Sequence, residues 1–483
     1  MSSQNKATES RLFGTDGIRG LANAFPMNSE VAMQVGAATA EVLVQSSGQR
    51  KRTTYPNPRV IIAKDTRISS YMLELAIASG ILSRGADVLL VGPLPTPAVA
   101  YLVKSMRADA GIMVSASHNS FEDNGIKIFD HNGYKLPDSV EAEIEKIVLA
   151  RIANADLRSR VLPTHERIGR AVRIDDAFGR YLESLKAITE PGFHLDGMTV
   201  VLDCAHGAGY KVAPMLFKEL GAKVIKRGVE PSGTNINQRV GALFPEVAAG
   251  AVVEFSANIG VSLDGDADRV ILCDEKGEKV DGDQIMGICA LELKRRGKLR
   301  HDTVVATPMS NMGLEIMLKA NGIRLERVPV GDRYVVEAMR TKGYSFGGEQ
   351  SGHIVFHDYA STGDGILGAL EVLAIMKRSG KPLSELKQAV KLLPQVREDV
   401  RVRVKTPIAE MPKVAKLVAE AEEKFAGRGR VFVRYSGTEN LLRVMIEGDN
   451  LTEIRAEAKK IAAAAADSIG EKKQARGPVG KTK

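Results

Sequence analysis

VIIAKDTRISSYMLELAIASGILSRGADVLLVG, running from Val60 to Gly92, decides the fold class. Its opening, Val60-Ile61-Ile62-Ala63, is a continuous apolar run that reads as a buried strand. A helix is predicted from about Tyr71 to near Gly85, a residue suited to a C-cap. A second strand, Val88 to Val91, follows. Working outward, the Pro-rich turn Gly92 to Pro97, a short helix and the strand Ala110 to Val114 come next. Upstream, Ser29 is placed to cap an amphipathic helix reaching about Gln45. This βαβαβ rhythm predicts a largely parallel sheet with helices on its faces. Ligands of such sheets gather beyond the carboxyl ends of the strands, and Ser115 to Asn119 leaves one of those ends.

Farther along, the Arg-rich stretch from about Arg151 to Arg170 reads as a linker. A second α/β unit has strands at Thr199 to Asp203 and Ala222 to Lys226, and its last strand, Ile259 to Leu263, runs into an acidic loop. A third unit spans roughly Glu275 to Leu386, with strands at Thr303 to Ala306, Leu325 to Val330 and His353 to Phe356. From about Val396 the pattern changes. Strand Asp399 to Lys405, a Lys/Glu-rich helix, two strands and a long Ala-rich helix predict an α+β unit.

A length of 483 residues fits about three or four domains. With 44% apolar and 26% charged residues, the composition is that of a globular protein and excludes wholesale disorder, collagen-like repeats and a small disulfide scaffold. The 46 glycines fit many tight turns, while the absence of Trp argues against a base-stacking nucleic-acid platform. The net charge of +8 resides in two places: Glu471 to Lys483 has five basic residues and one acidic, and Arg50 to Arg59 has four basic residues and no acidic one. These read as a solvated tail and a charged surface loop, with no nucleic acid as partner. Cys204, Cys273 and Cys289 are spaced for neither a disulfide framework nor zinc. Met1 to Ser10 is polar and no apolar run has the length of a membrane span, so a cytoplasmic protein without a membrane partner is expected.

The strongest chemical signal is Asp264-Gly265-Asp266-Ala267-Asp268-Arg269, set between apolar runs. Three carboxylates at alternate positions can converge on one hard cation, and without a counter-ion they repel one another. A helix-flanked calcium loop does not fit, because Arg269 stands where its glycine would be. Second is Ser115-Ala116-Ser117-His118-Asn119, with Asp123-Asn124-Gly125-Ile126-Lys127 behind it, a turn that exposes a serine for nucleophilic chemistry. Ser117 and His118 form no triad here, since adjacent side chains in an extended segment point apart. Third, Arg434-Tyr435-Ser436-Gly437-Thr438 with Arg443 offers a phosphate cradle of guanidinium, hydroxyl and backbone N–H groups. Fourth, Gly347 to His353 is a Gly-rich turn whose Glu349, Gln350 and Ser351 suit sugar hydroxyls. Fifth, Phe13-Gly14-Thr15-Asp16-Gly17-Ile18-Arg19-Gly20 is a further anion-facing turn or a plain bend.

Taken in this order, the five segments resemble the α-D-phosphohexomutases, and most closely their bacterial phosphoglucosamine mutase branch, from about Arg11 to Gly470. Val330-Gly331-Asp332-Arg333-Tyr334 matches that branch as well. The resemblance implies four domains around a central cleft: three related α/β units with mixed, mostly parallel sheets, and a C-terminal α+β domain. The corresponding segments are 11–168, 169–273, 274–388 and 396–470, with flexible tails at 1–10 and 471–483. It further implies that phosphorylated Ser117 carries the phosphoryl group and that Asp264, Asp266 and Asp268, with Ser117, hold Mg²⁺. Glu349 and Ser351 would contact the sugar, and Arg434, Ser436, Gly437, Thr438 and Arg443 the phosphate that is not reacting. Arg19, His118, Lys127 and Arg269 would line the reaction centre, with the Lys127 pKa lowered by Arg19 and Arg269.

The implied isomerase interconverts glucosamine 6-phosphate and glucosamine 1-phosphate through a 1,6-bisphosphate, feeding amino-sugar and peptidoglycan precursors. Glucosamine 1,6-bisphosphate or glucose 1,6-bisphosphate would be the activator, a sugar phosphate the substrate, and the chain a homodimer. A mutase of the same superfamily acting on glucose or mannose phosphates is the main rival; a metal-dependent phosphatase and a sugar-phosphate sensor are remoter ones. Ser120 and Asn440 stand where the family has proline, which bears on the stiffness of two loops.

Overall fold

The computed structural model describes residues 11–14, 16–47, 57–159, 162–436 and 440–470. The tails, most of the basic run from Arg50 to Arg59, and Gly437 and Thr438 lie outside the described residues. Two compact units are distinct: one runs to Ser310 and resumes over Met317–Val390, while the other comprises Asn311–Ile316 and the chain from Lys391.

The first unit contains three sheets. In the first, the strands lie in the order Phe13–Gly14, Gly17–Leu21, Asp123–Asp130, Ala110–Val114, Arg59–Lys64, Asp87–Pro93 and Ala171–Arg173. Arg59–Lys64 is central, buried at every residue, and parallel to both Ala110–Val114 and Asp87–Pro93. The parallel character stops there on one side, because Asp123–Asp130 runs antiparallel to Ala110–Val114 and to Gly17–Leu21. The reversal brings Lys127 back opposite Met113, beneath the turn that carries Ser117. The helix Ser29–Ser47 is capped by Asn28, whose side chain accepts from Val31 N at 2.9 Å, and not by Ser29.

The second sheet has the order Lys279–Val280, Val270–Asp274, Ile259–Leu263, Thr199–Asp203, Lys223–Arg227. Ile259–Leu263 pairs antiparallel with Val270–Asp274, so the acidic loop is a hairpin connection between two buried strands. The third sheet has the order Arg324–Arg327, Thr303–Ala306, Phe346–Gly348, Ile354–Phe356. Gly347 and Gly348 thus belong to a strand, parallel to Thr303–Ala306, and only the following residues turn.

Behind these sheets lies a buried acid, Asp364. It caps the helix Gly365–Ser379 by accepting from Ile366 N and Leu367 N at 3.0 Å and receives the Tyr181 hydroxyl at 2.7 Å. Burial pushes its carboxyl up to about 6. The folded protein therefore holds a proton there that the unfolded chain, near 3.9, has already lost, and stability falls as pH rises through that window. Against Asp364→Asn, which keeps the capping oxygen, wild-type unfolding free energy is expected to drop by up to about 1.4 kcal/mol per pH unit between about pH 4 and 6. Parallel denaturation curves for the two proteins across that range would refute this.

In the second unit, Gln395–Arg401, Leu441–Gly448 and Gly429–Tyr435 form an antiparallel sheet with Leu441–Gly448 in the centre. Its first strand begins at Gln395, four residues before the predicted start at Asp399. Helices Pro412–Phe425 and Leu451–Ile469 cover the sheet through Val414, Phe425, Ile454, Ala458 and Ile461. Asn311 belongs here because its amide donates to Leu393 O at 2.9 Å. Among the described residues no helix is long and apolar enough to cross a membrane.

Candidate active site

Ser117 lies just past the carboxyl end of Ala110–Val114 and is buried, with φ +52°. That left-handed backbone corrects the extended geometry expected for the turn. It brings Ser117 Oγ to 3.4 Å from His118 Nδ1 and within 2.6 Å of Asp264 Oδ2, to which it donates. The neighbouring hydroxyl is committed elsewhere: Ser115 Oγ donates to Asp65 Oδ2 at 2.6 Å and accepts from Ser117 N at 2.9 Å.

Asp264, Asp266 and Asp268 converge, with one oxygen from each lying within 4.8 Å of the others. Asp264 Oδ1 accepts from Arg269 N at 3.1 Å, and Asp266 Oδ2 accepts from Thr96 Oγ1 at 2.6 Å. Among the described residues, buried Asp266 Oδ1 and Asp268 Oδ1 accept no hydrogen bond, although His353 Nδ1 and Arg269 Nε stand 3.7 and 3.8 Å from Asp268 Oδ1. Burial, reinforced by Asp268 and Asp266, pushes the Asp264 carboxyl well above the usual range. For Asp268 burial acts the same way, but Lys127 and His353 outweigh it and hold the group well below its ordinary value. Three clustered buried carboxylates and an adjacent hydroxyl make a donor set of oxygen only, which fits a small hard divalent cation.

Lys127 Nζ lies 2.9 Å from Asp266 Oδ2 and 3.4 Å from both Asp268 Oδ2 and Asp16 Oδ2. Burial lowers its pKa, but the three carboxylates overcome burial and raise it. The net lowering expected from Arg19 and Arg269 is therefore corrected: Arg19 does lower it, but Asp16, with which Arg19 is ion-paired, outweighs it together with Asp266 and Asp268. Arg19 Nη1 also donates to Ala116 O at 3.3 Å, and Arg269 Nη1 lies 3.3 Å from His118 Nδ1. Burial, Arg269 and Arg19 push His118 down to about 4, so its ring is neutral at neutral pH.

Glu349 and Ser351 follow the strand Phe346–Gly348, with Ser351 Oγ 3.4 Å from Glu349 Oε2. Their loop is tied to the acidic hairpin, since Val270 N donates to Gly352 O at 3.0 Å and the Arg269 guanidinium feels the Glu349 charge. Gly352 has φ +89°, and a β-carbon there would stand 2.0 Å from Val270 O. In the second unit, Arg434 and Arg443 are directly opposed across two antiparallel strands. Ser436 is buried, its N–H donating to Leu441 O at 2.8 Å and its carbonyl accepting from Lys405 Nζ at 2.8 Å. Ser120 O receives Arg67 Nε at 3.4 Å and Asn440 O receives Val402 N at 2.9 Å.

Several site residues carried no signal in the motifs. Asp65 and Arg67 are ion-paired under the serine turn, Thr96 holds Asp266, and Lys135 bridges Asp16 and Asp332. Asp65 and Arg67 stand at the carboxyl end of the central strand, the one position rule that points to them.

The sequence matches four family models: phosphoglucomutase/phosphomannomutase α/β/α domain I over residues 10–155, domain II over 179–277, domain III over 281–392, and the C-terminal domain over 400–464. The chain belongs to the phosphoglucomutase/phosphomannomutase family, the α-D-phosphohexomutases. Among its relatives, the phosphoglucosamine mutase of Pelobacter propionicus is 53% identical over 96% of this chain and 99% of its own. That of Anaeromyxobacter dehalogenans is 55% identical over 95% of this chain and 99% of its own. The fold is shared with Aspergillus fumigatus N-acetylphosphoglucosamine mutase, solved with GlcNAc-6P and magnesium, at a TM-score of 0.65 and 19% identity over 95% of this chain and 96% of that one.

Proposed function

We propose that this chain is a phosphoglucosamine mutase, an isomerase that interconverts glucosamine 6-phosphate and glucosamine 1-phosphate through a phosphoserine at position 117. The observation that carries the reading is the Ser117 hydroxyl seated 2.6 Å from a carboxylate of the buried aspartate cluster. A serine placed for phosphoryl transfer needs little covalent help but strict positioning and charge neutralisation.

Phosphorylated Ser117 gives its phosphoryl group to the 1-hydroxyl of glucosamine 6-phosphate. The bisphosphate turns over without leaving and returns its 6-phosphoryl group to Ser117, releasing glucosamine 1-phosphate. Asp264, Asp266 and Asp268, together with Ser117, would hold Mg²⁺, which when bound would supply charge neutralisation for the transferring group. Lys127, Arg19 and Arg269 supply further positive charge around it, and His118, neutral beside Ser117 Oγ, orients that oxygen. Glu349 and Ser351 contact the sugar hydroxyls, while Arg434, Ser436, Gly437, Thr438 and Arg443 take the phosphate that is not reacting. The activator is glucosamine 1,6-bisphosphate or glucose 1,6-bisphosphate, which phosphorylates a free Ser117. A cytoplasmic homodimer completes the reading.

Glucosamine, glucose and mannose 6-phosphates assayed side by side with Mg²⁺ and a trace of bisphosphate test it. Turnover is expected to favour the glucosamine substrate. Preference for glucose or mannose phosphate would keep the chemistry and overturn the substrate, whereas net phosphate release would overturn the reaction.

A further inference from the structure

We infer that Asn237, which lies on a loop of the second sheet's side of the site, is a positioning residue that holds Ser117 in its left-handed conformation. Its Nδ2 donates to Ser117 O at 2.9 Å and to Asn119 O at 2.8 Å. Arg67 Nη2 donates to the same two carbonyls, at 3.1 and 2.6 Å. Two donors closing on one pair of carbonyls form a clamp, and what they clamp is a non-glycine residue at φ +52°. Such a backbone persists only where its surroundings over-determine it.

Asn237 is itself fixed. It is buried, its N–H donates to Ala205 O at 2.9 Å, and its own φ of +58° is one that asparagine tolerates better than most residues. The acidic hairpin makes room for the amide through Gly265, where a β-carbon would stand 2.8 Å from Asn237 Nδ2 and 2.5 Å from Ser117 O. Ser117 Oγ bonds to Asp264, so Asn237 acts on it only through the backbone. With the amide gone, Arg67 is the remaining donor to these two carbonyls, and rotation out of the left-handed region swings Oγ away from Asp264. The inference rests on the reading of Ser117 as the phosphoryl carrier.

Asn237→Gly removes the amide but keeps the backbone conformation accessible, and Asn237→Asp keeps the size but sets a carboxylate against two carbonyls. With Mg²⁺, glucosamine 6-phosphate and glucose 1,6-bisphosphate, kcat is expected to fall about 10-fold for the first and about 100-fold for the second. KM should stay within about threefold, since the change is not in substrate contacts. Phosphorylation of Ser117 by glucose 1,6-bisphosphate, followed by intact mass, should slow by the same factors. Unchanged kcat in both variants, or a loss confined to KM, overturns the inference, as does loss of folded structure in both. If the wild type takes phosphate at Ser117 without isomerising sugar, the mutase reading fails and the phosphorylation rates decide the role of Asn237. A wild type that never takes phosphate there overturns both.

Discussion

Ser117→Ala is expected to lower mutase turnover by about 10⁴-fold or more while leaving the fold intact. The nearby Ser115 hydroxyl is not free to replace the Ser117 oxygen. Ser115 Oγ, two residues away, is held by Asp65 at 2.6 Å and cannot turn toward Asp264 without abandoning both Asp65 and Ser117 N. Structurally the change is mild, because alanine keeps the β-carbon and the carbonyl that Arg67 and Asn237 grip. The hydrogen bond to Asp264 is lost, but the acceptor retains Arg269 N on its other oxygen. Melting temperature should therefore move by only a few degrees. Turnover that survives the substitution would remove Ser117 from the chemistry altogether.

Asp264→Asn should act in opposite directions on stability and on activity. Without metal, this carboxylate is buried among like charges, and burial and its neighbours push its pKa well up. The amide carries no charge, still accepts from Arg269 N and still meets Ser117 Oγ, so the metal-free variant is expected to melt above metal-free wild type. Activity should nonetheless fall by about 10²- to 10³-fold. Mg²⁺ should raise the melting temperature of wild type far more than that of the variant, since a ligand stabilises what it binds. A variant less stable than wild type without metal would overturn the like-charge argument, and one that Mg²⁺ stabilises equally would show that Asp264 holds no cation.

Both substitutions lie in motifs that sequence alone makes visible, and the fold shows why some features are legible and others are not. Val60 to Ala63, Ala110 to Val114 and Ile259 to Leu263 are strands because they are short apolar runs buried on both faces, a local property. Phe346–Gly348 escaped because two of its three residues are glycines. Glycine signals a turn unless one knows that Val305 O lies 2.5 Å from where a Gly347 side chain would begin. The three aspartates and the serine turn are compact in sequence and announce themselves. The clamp on that turn is not, for Arg67 and Asn237 lie 170 positions apart and meet only in the folded chain. The sign of the Lys127 shift is hidden for the same reason: Asp16 reaches it from the turn before Gly17–Leu21 and Asp266 and Asp268 from the acidic hairpin, and together they outweigh burial and Arg19.

Gly265 carries a consequence at the level of the gene. Every missense change that a single base can make in a glycine codon introduces a residue with a β-carbon, and at position 265 that atom falls 2.5 Å from the carbonyl of Ser117. Nothing there can give way, because the obstructing atom is backbone. At Gly250, by contrast, a β-carbon meets nothing within 4 Å. Natural variation should therefore accumulate at codon 250 and be purged at codon 265, although both encode the same small residue within a few turns of chain.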